Sequence, residues 1–231
     1  MESYQRLLLA NKNWAAQKLQ VNPEYFERLS ETQTPEFLWI GCADSRVPAD
    51  QVTGTQPGEI FVHRNVANLI VHTDMNMLSV LQYAVEVLKV KHILVVGHYQ
   101  CGGVKAAMTN KDYGLINKWL RNIKDVYVKH QPELDKITGE DAKFDRLVEL
   151  NVVEQVYNLA KTTIVQKAWA TGEDYPQIHG WVLDLHTGLI KSMIEIEPGE
   201  VDKIEEIYRY KFETTQEKAD LVDVMKSIDF L

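Results

Sequence analysis

The sequence predicts an α/β fold. Its mostly parallel central sheet has about four parallel strands plus an antiparallel edge strand, is flanked by helices, and follows an N-terminal helical arm. Three observations predict it. Short apolar runs, PEFLWIGC (35–42), EIFVHR (59–64) and HILVVG (92–97), are separated or followed by helical patterns; such alternation builds a parallel sheet with helices packed on it. HILVVG is apolar and rich in β-branched residues, as a central strand covered on both faces requires. The chain has 231 residues, 45% of them hydrophobic, which suits one sizeable domain and is short for two. The expected organisation is a single domain over 1–231, with the arm at 1–34, the α/β core at 35–196 and a C-terminal helical region at 197–231.

Each element has its own signal. Leu7, Leu8, Leu9, Trp14 and Leu19 lie among polar residues, a helical pattern. PEFLWIGC follows a proline and reads as a buried strand ending at Cys42. Pro57-Gly58 marks a turn before the second strand, EIFVHR. In NMLSVLQYAVEVLKV (76–90) the apolar positions 77, 78, 80, 81, 84, 85, 87 and 88 form a stripe wide enough to pack a helix on a sheet, with Thr73 or Asp74 as cap. HILVVG is the third strand. Leu115, Trp119, Ile123 and Val126 place a helix over 114–130, and 143–172 reads as one long helix or two joined near Lys161. IHGWVLDLHTGLIKSMIEI (178–196) reads as a hairpin turning at His186-Thr187-Gly188, and the tail after Pro198 as helical and acidic.

Net charge is −8, with no basic stripe to neutralise phosphates, so neither nucleic acid nor an anionic membrane is expected as partner. A small anionic substrate remains compatible, because a local pocket can be positive. The N-terminus offers only four consecutive apolar residues, LLLA, too few for a secretory signal. No run approaches the roughly 20 residues that span a bilayer. A cytoplasmic protein is expected, and there two cysteines, Cys42 and Cys101, do not suggest a structural disulfide.

Chemistry in a parallel sheet gathers beyond the carboxyl ends of the strands. C-A-D-S-R follows the first strand, giving Cys42, Asp44 and Arg46; H-Y-Q-C follows the third, giving His98 and Cys101. If the two strands are adjacent, two thiolates and an imidazole converge, a donor set that favours zinc over magnesium or calcium. No third cysteine closes the site, so its fourth position is open unless Asp44 or another histidine fills it. HxxC alone is a weak signal. A CxxC redox pair is excluded by spacing, and a Cys-His nucleophile pair leaves the second cysteine unexplained. Asp44 and Arg46 could be a surface ion pair of little worth. Beside zinc, the arginine would keep the carboxylate ionised to accept a hydrogen bond from zinc-bound hydroxide. Gly102 and Gly103 let the backbone approach the metal and offer N–H groups to the Cys101 sulfur.

CADSRVP (42–48), HRNVAN (63–68) and GHYQCGGV (97–104), in this order and spacing, resemble the β-class carbonic anhydrases, in their bacterial type, from about Asn13 to Ile196. The resemblance implies one Zn2+ per chain on Cys42, His98 and Cys101, the Asp44–Arg46 dyad, and reversible hydration of carbon dioxide to bicarbonate and a proton by zinc-bound hydroxide. It further implies a substrate pocket of Phe61, Val66 and Tyr83 with Gln33 as amide donor and Gly102 beside the metal, and a homodimer or homotetramer. Members regulated by bicarbonate carry a tryptophan, an arginine and a tyrosine in a noncatalytic pocket. Trp39 and Arg64 match, but Leu183 stands at the tyrosine position, so that pocket is expected to be weak or absent. The histidines at 63, 72, 92, 130, 179 and 186 read as structural or solvated, and no proton shuttle is identified. Two other readings remain: a zinc hydrolase acting on carbon disulfide or carbonyl sulfide, and a non-catalytic zinc-stabilised binding protein.

Overall fold

The computed structural model describes residues 2–212. At its centre lie β1 (Phe37–Cys42), β2 (Ile60–Asn65), β3 (His92–His98), β4 (Gln177–Leu183) and β5 (Ile190–Ile196), in the order β2-β1-β3-β4-β5. The first four run parallel, and β5 returns antiparallel to β4 as the expected hairpin. β1 and β3 are neighbours, with Gly41 opposite Val96. Cys42 and His98 therefore finish adjacent strands at the same end of the sheet.

The helices are α1 (Ser3–Val21), α2 (Tyr25–Glu31), α3 (Ala49–Thr53), α4 (Met75–Gln82), α5 (Gly102–Ala107), α6 (Ile116–Lys129), α7 (Gln131–Leu134), α8 (Glu140–Ala160) and α9 (Thr163–Ala170). Of the two candidate caps for α4 it is Asp74 that acts, its Oδ1 accepting from the N–H groups of Asn76 and Met77. That helix widens into a π-helical turn over Tyr83–Leu88, stopped by Lys89 in the left-handed conformation. The apolar span 143–172 is two helices, because Thr162 leaves helical geometry and its hydroxyl caps Val165. α1 buries none of its residues, and Leu7 and Leu8 lie exposed. Among the described residues, no helix is long and apolar enough to cross a membrane.

The tail differs from expectation. Within 197–212 the chain forms two short 3₁₀ turns, Val201–Lys203 and Glu206–Tyr208, instead of a helix, and 213–231 lies outside the described residues. Pro198 and the left-handed Gly199 end regular structure. The Gln166 side chain then holds the strap against α9, donating to the Tyr208 carbonyl and accepting from the Tyr210 N–H.

The two sheet faces are covered differently. Leu38, Ile40, Ile93, Val95 and Ile178 meet Met77 and Leu81 of α4, Val156 and Leu159 of α8, and Val165 and Trp169 of α9. On the other face Trp39, Leu94, Val96 and Leu183 are sealed by Val47, Ala49 and Val52, from the loop after β1 and α3. Each such buried aliphatic side chain contributes about 1.5–3 kcal/mol. Two glycines bring α8 close to the sheet: a Cβ on Gly97 of β3 would lie 2.6 Å from Val152 Cγ2, and one on Gly180 of β4 would lie 2.9 Å from Val156 Cγ2. α8 is thereby seated directly behind the strand that delivers His98.

Candidate metal centre

Cys42, His98 and Cys101 are buried together, one ligand atom from each lying within 4.8 Å of the others. Their sulfurs are 3.9 Å apart and both cysteines are free. Two Zn–S bonds of about 2.3 Å at the tetrahedral angle set sulfurs about 3.8 Å apart, so the spacing suits zinc. His98 Nδ1 lies 2.9 Å from the Tyr99 carbonyl, which can only accept, so Nδ1 carries the proton and Nε2 the lone pair. That Nε2 is buried without a hydrogen-bond partner among the described residues, as expected of an atom whose partner is a metal.

The electrostatics favour a cation. The Cys42 thiol is lowered, first by the Cys101 hydrogen bond, then by His98 and the Ala67 N–H, against burial. Cys101 is pushed up by Cys42 and by burial, since two thiolates this close cannot both ionise without a compensating charge. Burial opposes protonation of His98, but the negative Cys42 sulfur outweighs it and raises the imidazole. Backbone N–H groups complete the sulfur environments: Gly103 and Val104, at the start of α5, serve Cys101, and Ala67 serves Cys42 at 3.4 Å. The sequence expectation named Gly102 and Gly103; the N–H groups that bear on Cys101 are those of Gly103 and, in place of Gly102, Val104.

Asp44 and Arg46 form a two-point pair, Arg46 Nε to Oδ1 at 2.8 Å and Nη2 to Oδ2 at 2.7 Å, reinforced by the Arg46 N–H at 2.9 Å. These bonds, chiefly from the side chain, hold the Asp44 carboxyl well below the usual carboxylate range. Its Oδ2 lies 3.7 Å from His98 Nε2, beside the ligand cluster. Arg64 donates from Nε and Nη2 to the Cys42 carbonyl at 3.1 and 3.0 Å and also reaches the Asp44 carbonyl, bracing the loop.

The other predicted residues divide into two groups. Val66 sits against the start of α5, where a Cβ on Gly103 would come within 2.9 Å of it, and Gly102 is exposed next to Cys101. Phe61 instead pairs with Leu38, four residues and roughly 13 Å of strand below Cys42, and packs on the exposed Tyr83 with ring centroids 5.8 Å apart. Gln33 is exposed in the segment entering the opposite end of β1. Trp39 is fully buried on β1, its Nε1 folded beneath Gly41 without a partner among the described residues.

Several supporting residues escaped the sequence reading. Ala67 and Asn68 both take positive φ, 65° and 49°, a conformation L residues avoid. The turn is held by Asn65, whose side chain bonds both the N–H and the carbonyl of Leu69 at 2.8 Å. Asn151 of α8 donates to the Ala67 carbonyl, and Gln155 accepts from the Ile70 N–H. Asn151, Gln155 and Asn158, at helical spacing inside an apolar stretch, are the signal that was available.

The carbonic anhydrase family model matches residues 37–190, which includes every ligand. The chain belongs to the β-class carbonic anhydrases. A carbonic anhydrase of Emericella nidulans is 47% identical over 207 residues, covering 90% of each chain. A tetrameric β-carbonic anhydrase of Sordaria macrospora is 39% identical with a TM-score of 0.80, over 84% of this chain and 98% of that one. The Coccomyxa β-carbonic anhydrase, solved with acetazolamide, is 39% identical with a TM-score of 0.83, over 90% and 95%. The expected bacterial type finds no support here, since fungal proteins stand among these relatives. As a carbonic anhydrase the chain hydrates carbon dioxide, and its Cys42, His98 and Cys101 are positioned to bind the zinc that this chemistry uses.

Proposed function

We propose that one zinc ion on Cys42, His98 and Cys101 serves reversible carbon dioxide hydration, with Asp44 and Arg46 as the catalytic pair, in a single domain spanning 1–231. The observation that carries this is the buried triad of ligand atoms with the ion-paired Asp44 beside it. Zinc, when bound, supplies a Lewis acid that makes water nucleophilic near neutral pH. Asp44, kept ionised by Arg46, can only accept a hydrogen bond; it therefore selects a nucleophile that bears a proton and turns its lone pair toward the substrate. Arg46 engages both carboxylate oxygens of Asp44, which supports an open fourth position. A purely structural ion would leave that pairing without a purpose.

The chain acts as a homo-oligomer, dimer or tetramer. Phe61 and Tyr83 lie at the sheet edge, far down β2 from their own triad, and the exposed leucines of α1 need cover. A second copy would bring such residues to a neighbouring site. The noncatalytic bicarbonate pocket is weak: Trp39 and Arg64 are present, but Leu183 is a buried hydrocarbon without a hydroxyl, and Arg64 already serves two carbonyls. Two thiols that have to stay reduced to bind metal fit a reducing compartment such as the cytoplasm.

Rapid-mixing carbon dioxide hydration, with zinc measured on the same sample, tests the main reading. One zinc per chain with hydration rising toward alkaline pH is expected; a fully loaded sample inactive above pH 8 would overturn it. Added bicarbonate should leave the pH–activity profile in place, and a strong response would restore the regulatory pocket.

A further inference from the structure

The triad accounts for His98 and Cys101 but not for Tyr99, the first of the two residues between them. Tyr99 donates its hydroxyl to Glu149 Oε1 of α8 at 2.7 Å. Lys191 of β5 reaches the same oxygen at 2.7 Å, and Arg146 donates to Oε2 at 2.8 Å. Arg146 also bonds Glu133 of α7 at 2.6 Å. Glu149 is only 9% exposed, an expensive place for a carboxylate unless its bonds are needed.

We infer that Tyr99 and Glu149 are positioning residues that clamp the His98–Cys101 loop for metal binding. The clamp acts through backbone. The Tyr99 carbonyl is the acceptor that holds the His98 ring and keeps its lone pair on Nε2. The Tyr99 N–H is tied to the Leu183 carbonyl at 3.0 Å. Gln100, next in the loop, has a φ of 59°, a left-handed conformation that costs an L residue roughly 1–2 kcal/mol. Anchoring the Tyr99 side chain to a carboxylate whose other oxygen, Oε2, is held by Arg146 fixes the peptide between a metal ligand and this strained residue. Lys191 serves the same carboxylate from β5 through a largely exposed side chain, while Arg146 still holds Oε2, so it separates clamping from general stability.

The inference rests on zinc being held by Cys42, His98 and Cys101, so zinc content of the wild-type chain is measured first. Zinc affinity is then read by competition with a chromophoric chelator on full-length holoprotein, beside chemical denaturation of the zinc-free form. Tyr99→Phe should weaken zinc binding about 10-fold or more, and Glu149→Gln similarly, with the double variant little worse than either. Lys191→Met should lower the denaturation midpoint yet keep zinc affinity within about twofold. Should Glu149→Gln fail to fold, Tyr99→Phe, which removes one oxygen, decides alone. A folded Tyr99→Phe with wild-type zinc affinity overturns the clamp, as does Lys191→Met weakening zinc equally. A wild type that binds no zinc overturns the metal reading and the clamp together.

Discussion

Gly97→Ala adds a single methyl group at the tightest contact behind His98. Its Cβ would lie 2.6 Å from Val152 Cγ2 and 3.3 Å from Asn68 Oδ1, against the 3.5–4.0 Å at which carbon atoms attract. Neither neighbour has room to yield, because Val152 is 0% and Asn68 2% exposed, so α8 or β3 has to move by about an ångström. Overpacking of this kind costs about 1–3 kcal/mol, and two confined neighbours argue for the upper half. At about 2–4 °C per kcal/mol for a chain of this size, thermal unfolding should fall by about 4–12 °C. Val152→Ala alone removes two buried methyl groups and costs about 2–3 kcal/mol. In the double variant the new methyl occupies the vacated space, so the combined cost should undercut the sum by about 1.5 kcal/mol or more. Denaturant melts of all four proteins close the cycle. Additivity within about 0.5 kcal/mol, or Gly97→Ala costing under about 0.5 kcal/mol, would refute close seating of α8.

Three further outcomes follow from the same structure. Asp44→Asn should lower turnover about 100-fold while zinc stays bound, checked by rapid mixing and metal analysis; loss of zinc would make Asp44 a ligand instead. Cys101→Ala, or chelation of the wild type, should lower apparent thermal stability by about 5–10 °C, since a ligand at 100 times its Kd contributes about 2.7 kcal/mol, and an unchanged melt would exclude coupling of metal to folding. Burial, opposed in part by Asp74, keeps the folded pKa of His63 below its unfolded value of about 6.5. Between those values the unfolded chain binds more protons, so this contribution is complete above about pH 6.5 and is lost as pH falls toward the folded value. Denaturant midpoints from pH 7.5 to 5.5 should drop less in His63→Gln than in wild type; equal slopes would place the titration elsewhere.

The sheet was legible because burial on both faces writes itself as short apolar runs, and HILVVG and PEFLWIGC both end where the ligands begin. The zinc triad was legible because thiolates are rare and their spacing survives folding. What stayed hidden depends on partners distant in sequence. Ala67 and Asn68 take left-handed backbone because Asn65 and Asn151 hold the turn, which no local propensity announces. The π-helical turn at Tyr83–Leu88 has an ordinary amphipathic sequence. The tail reads as helical by composition, yet Gln166 captures its backbone as a strap. Phe61 and Tyr83 are placed together, but at a distance from the triad that strand register alone determines.

Within two turns of α8, Glu149 meets Tyr99, Asn151 meets the Ala67 turn, Val152 meets Gly97 and Gln155 meets Ile70. One rod thus carries the phase information for two otherwise separate loops. Each residue added to a helix turns everything beyond it by about 100°. A one-residue insertion between Glu149 and Gln155 would swing the later contacts off the loops they serve, while the same insertion in the exposed 186–189 turn would be absorbed locally.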